Sequence, residues 1–223
     1  DTLMCVSFLN PTSIDNVLIE NNKISNIVTT TGQSSFLILT GSDNSTPENY
    51  KNVRVIGNRI DLCGNSTVGY DATAVNIGIT TYGEDNLQAE NVITNGLYLE
   101  PIYMKGHGNR QIRNVCRDNQ HSGISMKTVA TSLVTRENYQ DGNIIAGLCD
   151  IRPAVRMFGS GMSINSQVDI TYSSGDSQGG YCFQATPSAT IDGTLTITGN
   201  FKGDRGFNIT TDGDLYIDCS LKS

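Results

Sequence analysis

Short phrases in which apolar and polar residues alternate recur along the chain. The first begins with a small residue and reads Gly96-Leu-Tyr-Leu-Glu100, with further copies at 123–127, 147–151, 180–184 and 206–210 and a looser copy at 74–78. The second lies at residues 16–19, 52–55, 111–115, 167–170, 194–197 and 214–217. Alternation with a period of two predicts β-strands that turn one set of side chains inward and the other outward.

The first two copies of the second phrase can be aligned over a longer stretch. Both read Asn-Val-x-Ile/Val-x-x-Asn-x-Ile, from Asn16 to Ile24 and from Asn52 to Ile60. Two strands per repeat with Asn or Gly at the corners predict a coil, because Asn tolerates left-handed geometry and its amide can bond its counterpart one coil along. Stacked coils would join the inner residues into one column, in which Leu97, Ile124 and Leu148 are expected to share a row.

This pattern of repeated phrases resembles the single-stranded right-handed parallel β-helix of the pectate-lyase-like superfamily. Within that superfamily it is most similar to the bacteriophage tailspikes. The resemblance covers residues 16–217. It implies an all-β fold, a right-handed parallel β-helix solenoid of about eight coils. Stretches that interrupt the repeat predict loops inserted at the corners, at residues 39–50, 62–72, 129–142 and 173–179.

Residues 1–223 are expected to form a single β-helix domain. Both ends of the chain fall in strand phrases without a helix or polar cap to close the column. Uncapped solenoid ends expose strand edges and apolar side chains to water. We therefore expect either a fragment of a longer chain or ends that oligomerisation protects.

Charge and cysteine usage narrow the classes of partner. A net charge of −7 argues against binding nucleic acid through phosphate neutralisation, and no apolar run approaches the roughly 20 residues of a membrane span. The six cysteines include no C-x-x-C pair and no Cys/His spacing typical of zinc, which argues against a structural metal site. An even count would permit three disulfides, but small buried thiols in strands are favoured over them. No cofactor motif is present, so neither a metal nor a cofactor is expected.

Four acids are candidate catalytic residues for cleaving a glycosidic bond. Hydrolysis needs two carboxylates, about 5 Å apart for retention or about 6.5 to 9.5 Å for inversion. Glu100 and Asp150 are expected two coils apart, roughly 10 Å, on the outward column of the first phrase. Asp118 and Asp141, in the flanking turns, are expected as closer partners.

Cationic and aromatic residues beside this column are candidates for binding substrate. Cleavage by β-elimination would use a base near a uronic acid and cations to neutralise its carboxylate. The candidate residues are Tyr98, Lys105, His107, His121, Lys127 and Arg152. The turn Gly106-His-Gly108 resembles one signature of polygalacturonase-type glycosidases, although the paired-Asp companion would have to be Gly83-Glu84-Asp85, whose first acid is Glu.

The resemblance implies a tailspike-like protein that binds and cleaves a bacterial surface polysaccharide, with hydrolysis favoured over elimination. A non-catalytic glycan-binding adhesin and a structural module of a fibre stay open as alternatives. Tailspikes of this kind are usually homotrimers, so the resemblance also implies a threefold assembly. The expected location is the virion tail or the extracellular space.

Overall fold

The chain folds almost entirely as β-strands. The computed structural model describes residues 2–8, 13–29, 34–41, 49–65, 76–97, 99–119, 123–128, 138–148, 152–158, 162–171, 180–186, 195–210 and 214–222. Its strands are β1 (Thr2–Phe8), β2 (Ile14–Asp15), β3 (Leu18–Glu20), β4 (Lys23–Ser25), β5 (Val28–Thr29), β6 (Ser34–Thr40), β7 (Tyr50–Lys51), β8 (Arg54–Ile56), β9 (Arg59–Asp61), β10 (Gly64–Asn65), β11 (Asn76–Glu84), β12 (Leu87–Ala89), β13 (Val92–Thr94), β14 (Glu100–His107), β15 (Arg110–Ile112), β16 (Val115–Arg117), β17 (Ile124–Thr128), β18 (Asn138–Leu148), β19 (Val155–Phe158), β20 (Met162–Thr171), β21 (Tyr181–Thr186), β22 (Leu195–Lys202), β23 (Arg205–Ile209) and β24 (Leu215–Lys222). The described residues contain no α-helix, so the protein is all-β.

The strands pair in parallel into two long sheets. The first sheet has the order β1-β6-β11-β14-β17-β19-β21-β23, and β2 and β7 extend it beside β11. The second sheet carries two parallel rows, β3-β8-β12-β15-β18-β20-β22-β24 and β4-β9-β13-β16-β18, which meet in β18. A short pair, β5 with β10, forms a third, two-stranded sheet. Because the chain returns to the first sheet after each visit to the second, the arrangement is consistent with a β-helix-like solenoid.

The core is the column of apolar side chains enclosed between these sheets. Inward rows of the first sheet contribute residues with no exposed surface, such as Ile79, Ile102, Ile124 and Val155. Side chains along a strand alternate between the two faces of a sheet, so the residue next to each of these in its strand points away from the core. The parallel register stacks like on like, as in Met104, Met126 and Met157 on adjacent strands.

Asparagine ladders close the corners, as the sequence predicts. Asn22, Asn58, Asn91 and Asn114 each donate their backbone N–H and side-chain Nδ2 to the Oδ1 of the next member, and Asn143 ends the row. The residue before each member has a positive φ, for example 57° at Glu90. The predicted alignment of the two longest phrases is confirmed, since Ile19 pairs with Val55 and Ile24 with Ile60.

The expected register of the glycine phrases is wrong for several copies. Ile124 pairs with Ile102 and Val155, whereas Leu97 makes only an isolated bridge to Gly64 and Leu148 pairs with Thr171 in the second sheet. The phrase at 96–100 therefore precedes a strand of the first sheet, and that at 147–151 follows one of the second. Alternation alone does not fix register when the loops between copies differ in length.

The predicted corner insertions fall largely outside the described residues, which omit 42–48, 66–75, 129–137 and 172–179. Where the structure does describe them, they continue neighbouring strands: Leu39 and Thr40 end β6, and Asn138 begins β18.

Among the described strands, β24 is an edge strand, because it pairs only with β22. It exposes large apolar side chains on both faces, including Leu215, Tyr216, Ile217 and Leu221.

Thiol reactivity should follow burial along the chain. Cys5, Cys63, Cys116, Cys182 and Cys219 are thiols, and Cys5 is exposed while Cys182 is completely buried. Burial, with added repulsion from Asp204 and Asp169, raises the pKa of Cys182 to about 12. At pH 8 only about one such thiol in ten thousand is a thiolate, the form that reacts. Iodoacetamide followed by peptide mass spectrometry should therefore label Cys5 in the folded protein and Cys182 only after unfolding. Equal labelling rates for the two would contradict the burial described here.

Candidate functional site

The candidate site lies on the outward face of three adjacent strands of the first sheet, β14, β17 and β19. On β17, Ile124 and Met126 point into the core, so Ser125 and Lys127 face the other way. Register places Tyr103, Ser125 and Arg156 side by side in one outward row. The next outward row contains Lys105, Lys127 and Phe158. We call these two rows, with Glu100 at the first residue of β14, the outer face.

Positive charge dominates the outer face. Lys105, Lys127 and Arg156 give three positive charges against the single negative charge of Glu100, a local net charge of +2 in a chain of net −7. Lys105 and Lys127 are direct register partners on neighbouring parallel strands, about 4.8 Å apart along the stack. The two ammonium groups therefore belong to the same outward row of the sheet.

Aromatic rings flank the cations. The guanidinium of Arg156 lies over the ring of Phe158, 4.8 Å from its centroid. Tyr103 contacts Tyr82 of the neighbouring strand edge to face, with ring centroids 6.1 Å apart. Both tyrosines are partly exposed, and an amphipathic ring of this kind can pack against the apolar face of a sugar.

Glu100 reaches across β17 to Arg156. Glu100 Oε1 lies 3.9 Å from Arg156 Nη1, and their side chains are only 12% and 16% exposed. This separation is longer than a charge-assisted hydrogen bond, and Glu100 Oε1 is buried without a hydrogen-bond partner. Ser125 Oγ, on the strand that the contact crosses, is likewise buried without a partner. Two residues with under-satisfied polar atoms thus neighbour Arg156, Glu100 by contact and Ser125 by strand register.

Interior glutamines fix the backbone behind the outer face. Gln88 Nε2 donates to Tyr103 O at 3.1 Å, and Gln111 Nε2 donates to Ser125 O at 3.3 Å. Gln111 also donates to Gln88 Oε1, and Gln140 to Gln111 Oε1, so the amides form a buried ladder. Hydrogen bonds in a low-dielectric core are strengthened, so this ladder rigidifies the strands that it joins, although Gln140 Oε1 at its end is buried without a partner.

His107 lies at a corner rather than on the outer face. It is 2% exposed, and its Nε2 lies 3.5 Å from Glu84 Oε2, its register neighbour on β11. Gly106 before it and Gly108 after it both have positive φ, 140° and 66°. The Gly-His-Gly turn and Gly83-Glu84-Asp85 occupy the same corner on successive coils. The backbone geometry of this corner therefore explains the glycines on either side of His107.

The structure brings together three of the ten predicted site residues on the outer face: Glu100, Lys105 and Lys127. Asp118 is an exposed corner residue after β16, and Asp141 is in the second sheet, where it accepts a hydrogen bond from Asn165 Nδ2 at 2.8 Å. Arg152 lies three residues before β19. The remaining predictions, Tyr98, His121 and Asp150, lie outside the described residues.

The glycine phrases do not predict that Tyr103, Ser125 and Arg156 lie side by side in one outward row. A better signal is present in the sequence as Ile/Val-x-Met, at Ile102-Tyr-Met104, Ile124-Ser-Met126 and Val155-Arg-Met157. The middle residue of each copy is the outward one. Apolar residues at i and i+2 therefore locate the outer face more reliably than the preceding glycine.

Within the described ranges, no group of three or more His, Cys, Asp or Glu could hold a metal ion, and no helix has the length and apolar character of a membrane span. No family model, curated protein or solved structure matches this chain.

Proposed function

We propose that this protein binds a bacterial surface polysaccharide on the outer face of its first sheet. The observation that carries the proposal is the pair of outward rows on β14, β17 and β19, which combine Tyr103 with Lys105, Lys127 and Arg156. Glycan recognition uses a flat aromatic surface together with a few fixed polar groups. The interior glutamines hold this surface in place before a ligand arrives, which lowers the ordering cost of binding.

The wider proposal is a right-handed parallel β-helix of about eight coils that acts as a tailspike-like receptor-binding protein. Its first sheet contains eight strands in one parallel path, which supports that coil number. We further propose a homotrimer on the virion tail or in the extracellular space. Sedimentation equilibrium tests the assembly, and a mass of three chains is the expected result.

Cleavage of the bound polysaccharide is the second candidate function. Glu100 favours it, because a carboxylate with a buried, hydrogen-bond-deficient oxygen beside the glycan surface is suited to proton transfer. Among the described residues of the outer face Glu100 is the only carboxylate, and hydrolysis needs two. Polysaccharide binding is therefore better supported than cleavage. A protein that binds without cleaving, such as an adhesin-like β-helix, agrees with this proposal.

Binding should depend on the outer-face cations. Arg156→Gln is expected to weaken binding to the recognised polysaccharide by about tenfold or more, and Lys127→Gln by several-fold, since each removes a charge that faces the ligand. Capsular and O-antigen polysaccharides immobilised on a sensor surface provide the measurement. Arg113→Gln is the matched control, because Arg113 forms an exposed ion pair with Glu90 in the second-sheet region and should leave binding unchanged.

Release of reducing ends by the same panel separates the two candidates. Release that Glu100→Gln abolishes while binding persists would establish cleavage, whereas binding without release identifies a receptor-binding module. If no polysaccharide binds, or if Arg113→Gln weakens binding as much as Arg156→Gln, the outer face is not the glycan site.

A further inference from the structure

We infer that copies of this chain associate side by side and parallel through the outside of the second sheet, on the two sides of the long asparagine ladder. The strands before this ladder are β3, β8, β12 and β15, and we call their outward side the leading face. The strands after it are β4, β9, β13 and β16, and we call their outward side the trailing face. The leading face of one copy packs on the trailing face of the next. The inference rests on the homotrimer proposed above and names the surface that forms it.

Both faces carry apolar side chains on the outside of the column. Leu87 and Ile112 of the leading face are partly exposed, and the residue between inward and outward positions on each strand is a buried glutamine. Val92 and Val115 of the trailing face are partly exposed as well. Register joins the outward apolar residues into two continuous rows, Ile56-Ala89-Ile112 and Val92-Val115-Ile144. Single apolar residues on a surface are ordinary, but contiguous rows of them mark an interaction site.

The later strands of the same sheet show that these apolar rows are a local feature. Strands β20 and β22 continue the outward rows of both faces in register. Their outward residues are all polar: Ser163, Asn165, Gln167, Asp169, Thr196, Thr198, Asn200 and Lys202. A strand of this solenoid therefore does not need apolar residues on its outer side, and the apolar rows call for a partner that covers them.

The charges beside the apolar rows favour a second copy as that partner. Glu20 on the leading face and Lys23 on the trailing face are exposed and belong to the same coil. One coil along, the leading face carries Arg54 and the trailing face Asp61, which are also exposed. A parallel neighbour at equal height places each cation opposite an acid, which stabilises this alignment of the two copies.

Asp61 is fixed as an anion in this position. Its Oδ1 accepts hydrogen bonds from Thr94 Oγ1 at 2.7 Å and from Asn95 Nδ2 at 2.9 Å, and these bonds lower its pKa. The same alignment makes one combination of like charge, Arg110 with Arg117, and both of these side chains are exposed, so that solvent screens their repulsion.

The contact joins two different faces, so each copy offers one face to each of two neighbours. Such a contact closes as a ring when the rotation between copies closes, and a ring of three agrees with the proposed homotrimer. Glu90 and Arg113, at the turn between the faces, pair with each other and need no group from a neighbour. The outer face belongs to the first sheet, so this assembly leaves it open to a ligand.

Val115→Arg tests the interface by placing a charge in the middle of the trailing apolar row. It should weaken association by about a hundredfold or more, so that the variant sediments as one chain at a concentration where wild type sediments as three. Asn200→Arg is the matched control, because Asn200 continues the same outward row on β22, where the outward residues are polar. It should sediment like wild type. Far-ultraviolet circular dichroism confirms that both variants retain their strands.

Cross-linking tests which faces meet. Leu87→Cys marks the leading face and Thr94→Cys the trailing face, both on the coil of β12 and β13. The two variants are co-expressed and treated with a bismaleimide that spans about 10 Å, the spacing of packed sheets. A cross-linked pair of chains should form in the mixture well above the level for either variant alone or for wild type, which gives the background of the native cysteines. Equal cross-linking of Leu87→Cys alone would show that like faces meet and would overturn the inference.

These measurements separate failure of the interface from failure of the proposed function. If wild type and Val115→Arg both sediment as three chains, the interface is overturned while the homotrimer stands. If wild type sediments as a single chain, the homotrimer and the interface both fail, and polysaccharide binding is judged on its own assay. If Val115→Arg dissociates the assembly but wild type binds no polysaccharide, the interface stands and the proposed glycan binding fails.

Discussion

Gly106→Ala is expected to lower the free energy of unfolding by about 5 kcal/mol, enough to leave little folded protein at 37 °C. Gly106 has a φ of 140°, which residues with a side chain rarely adopt. An alanine Cβ at this position would also overlap the carbonyl oxygen of Gly83 on the adjacent strand. That oxygen accepts a hydrogen bond from Asn109 Nδ2 at 3.0 Å, so moving it breaks a corner contact as well. Urea denaturation followed by circular dichroism measures the loss.

Gly142→Ala is the matched control for this prediction. Gly142 also has a positive φ, 63°, but the nearest atom to an added Cβ is Arg113 Cγ at 3.4 Å, an ordinary contact. The expected cost is about 1 kcal/mol, from left-handed backbone strain alone. Equal losses at the two sites would mean that strand stacking at Gly106 is looser than described.

Asn114→Ala is expected to cost about 4 kcal/mol of unfolding free energy. The Asn114 side chain accepts bonds from the backbone N–H and the Nδ2 of Asn91, and it donates to Gln88 O and Asn143 Oδ1. Because the site is completely buried, alanine leaves several of these groups without partners and without access to water. The same denaturation measurement checks the effect.

Asn22→Ala tests whether the cost comes from the buried ladder rather than from asparagine at a corner. Asn22 is the exposed first member, and its side chain only donates, to Glu20 O and Asn58 Oδ1. Water can replace both partners, so the expected cost is about 1 kcal/mol or less. A cost at Asn114 no greater than at Asn22 would show that the ladder does not stabilise the stack.

The corner asparagines could be predicted from sequence because their chemistry is local. Asn tolerates positive φ and stacks its amide on a copy one coil away, and both properties depend on residue type alone. A further regularity is visible in the sequence, since Asn86 and Asn91, Asn109 and Asn114, and Asn138 and Asn143 are each five residues apart. Each pair marks two consecutive corners of one coil.

Strand register could not be predicted from the glycine phrases in the same way. Successive members of the long ladder are separated by 36, 33, 23 and 29 residues. With coils of such different lengths, a glycine followed by alternating residues fits any of the corners. Only the partner strand decides which, and that information is not local.

The sequence predicts only part of the candidate site, because only some of its residues belong to correctly aligned phrases. Lys127 belongs to a glycine phrase that is aligned correctly, so its outward position followed from alternation. Arg156 belongs to a phrase that begins with Ala154, and the glycine pattern does not detect it. Its approach to Glu100 spans 56 residues of sequence, from 100 to 156, and arises only from the stacking of three strands. The buried Gln88, Gln111 and Gln140 escaped prediction because polar residues are unusual on an inward face.

A crystal structure with an oligosaccharide of the recognised polysaccharide bound tests the central claim most directly. We predict that the sugar lies across β14, β17 and β19, in contact with Tyr103, Lys127 and Arg156. An oligosaccharide bound along the second sheet, away from these side chains, would contradict this prediction.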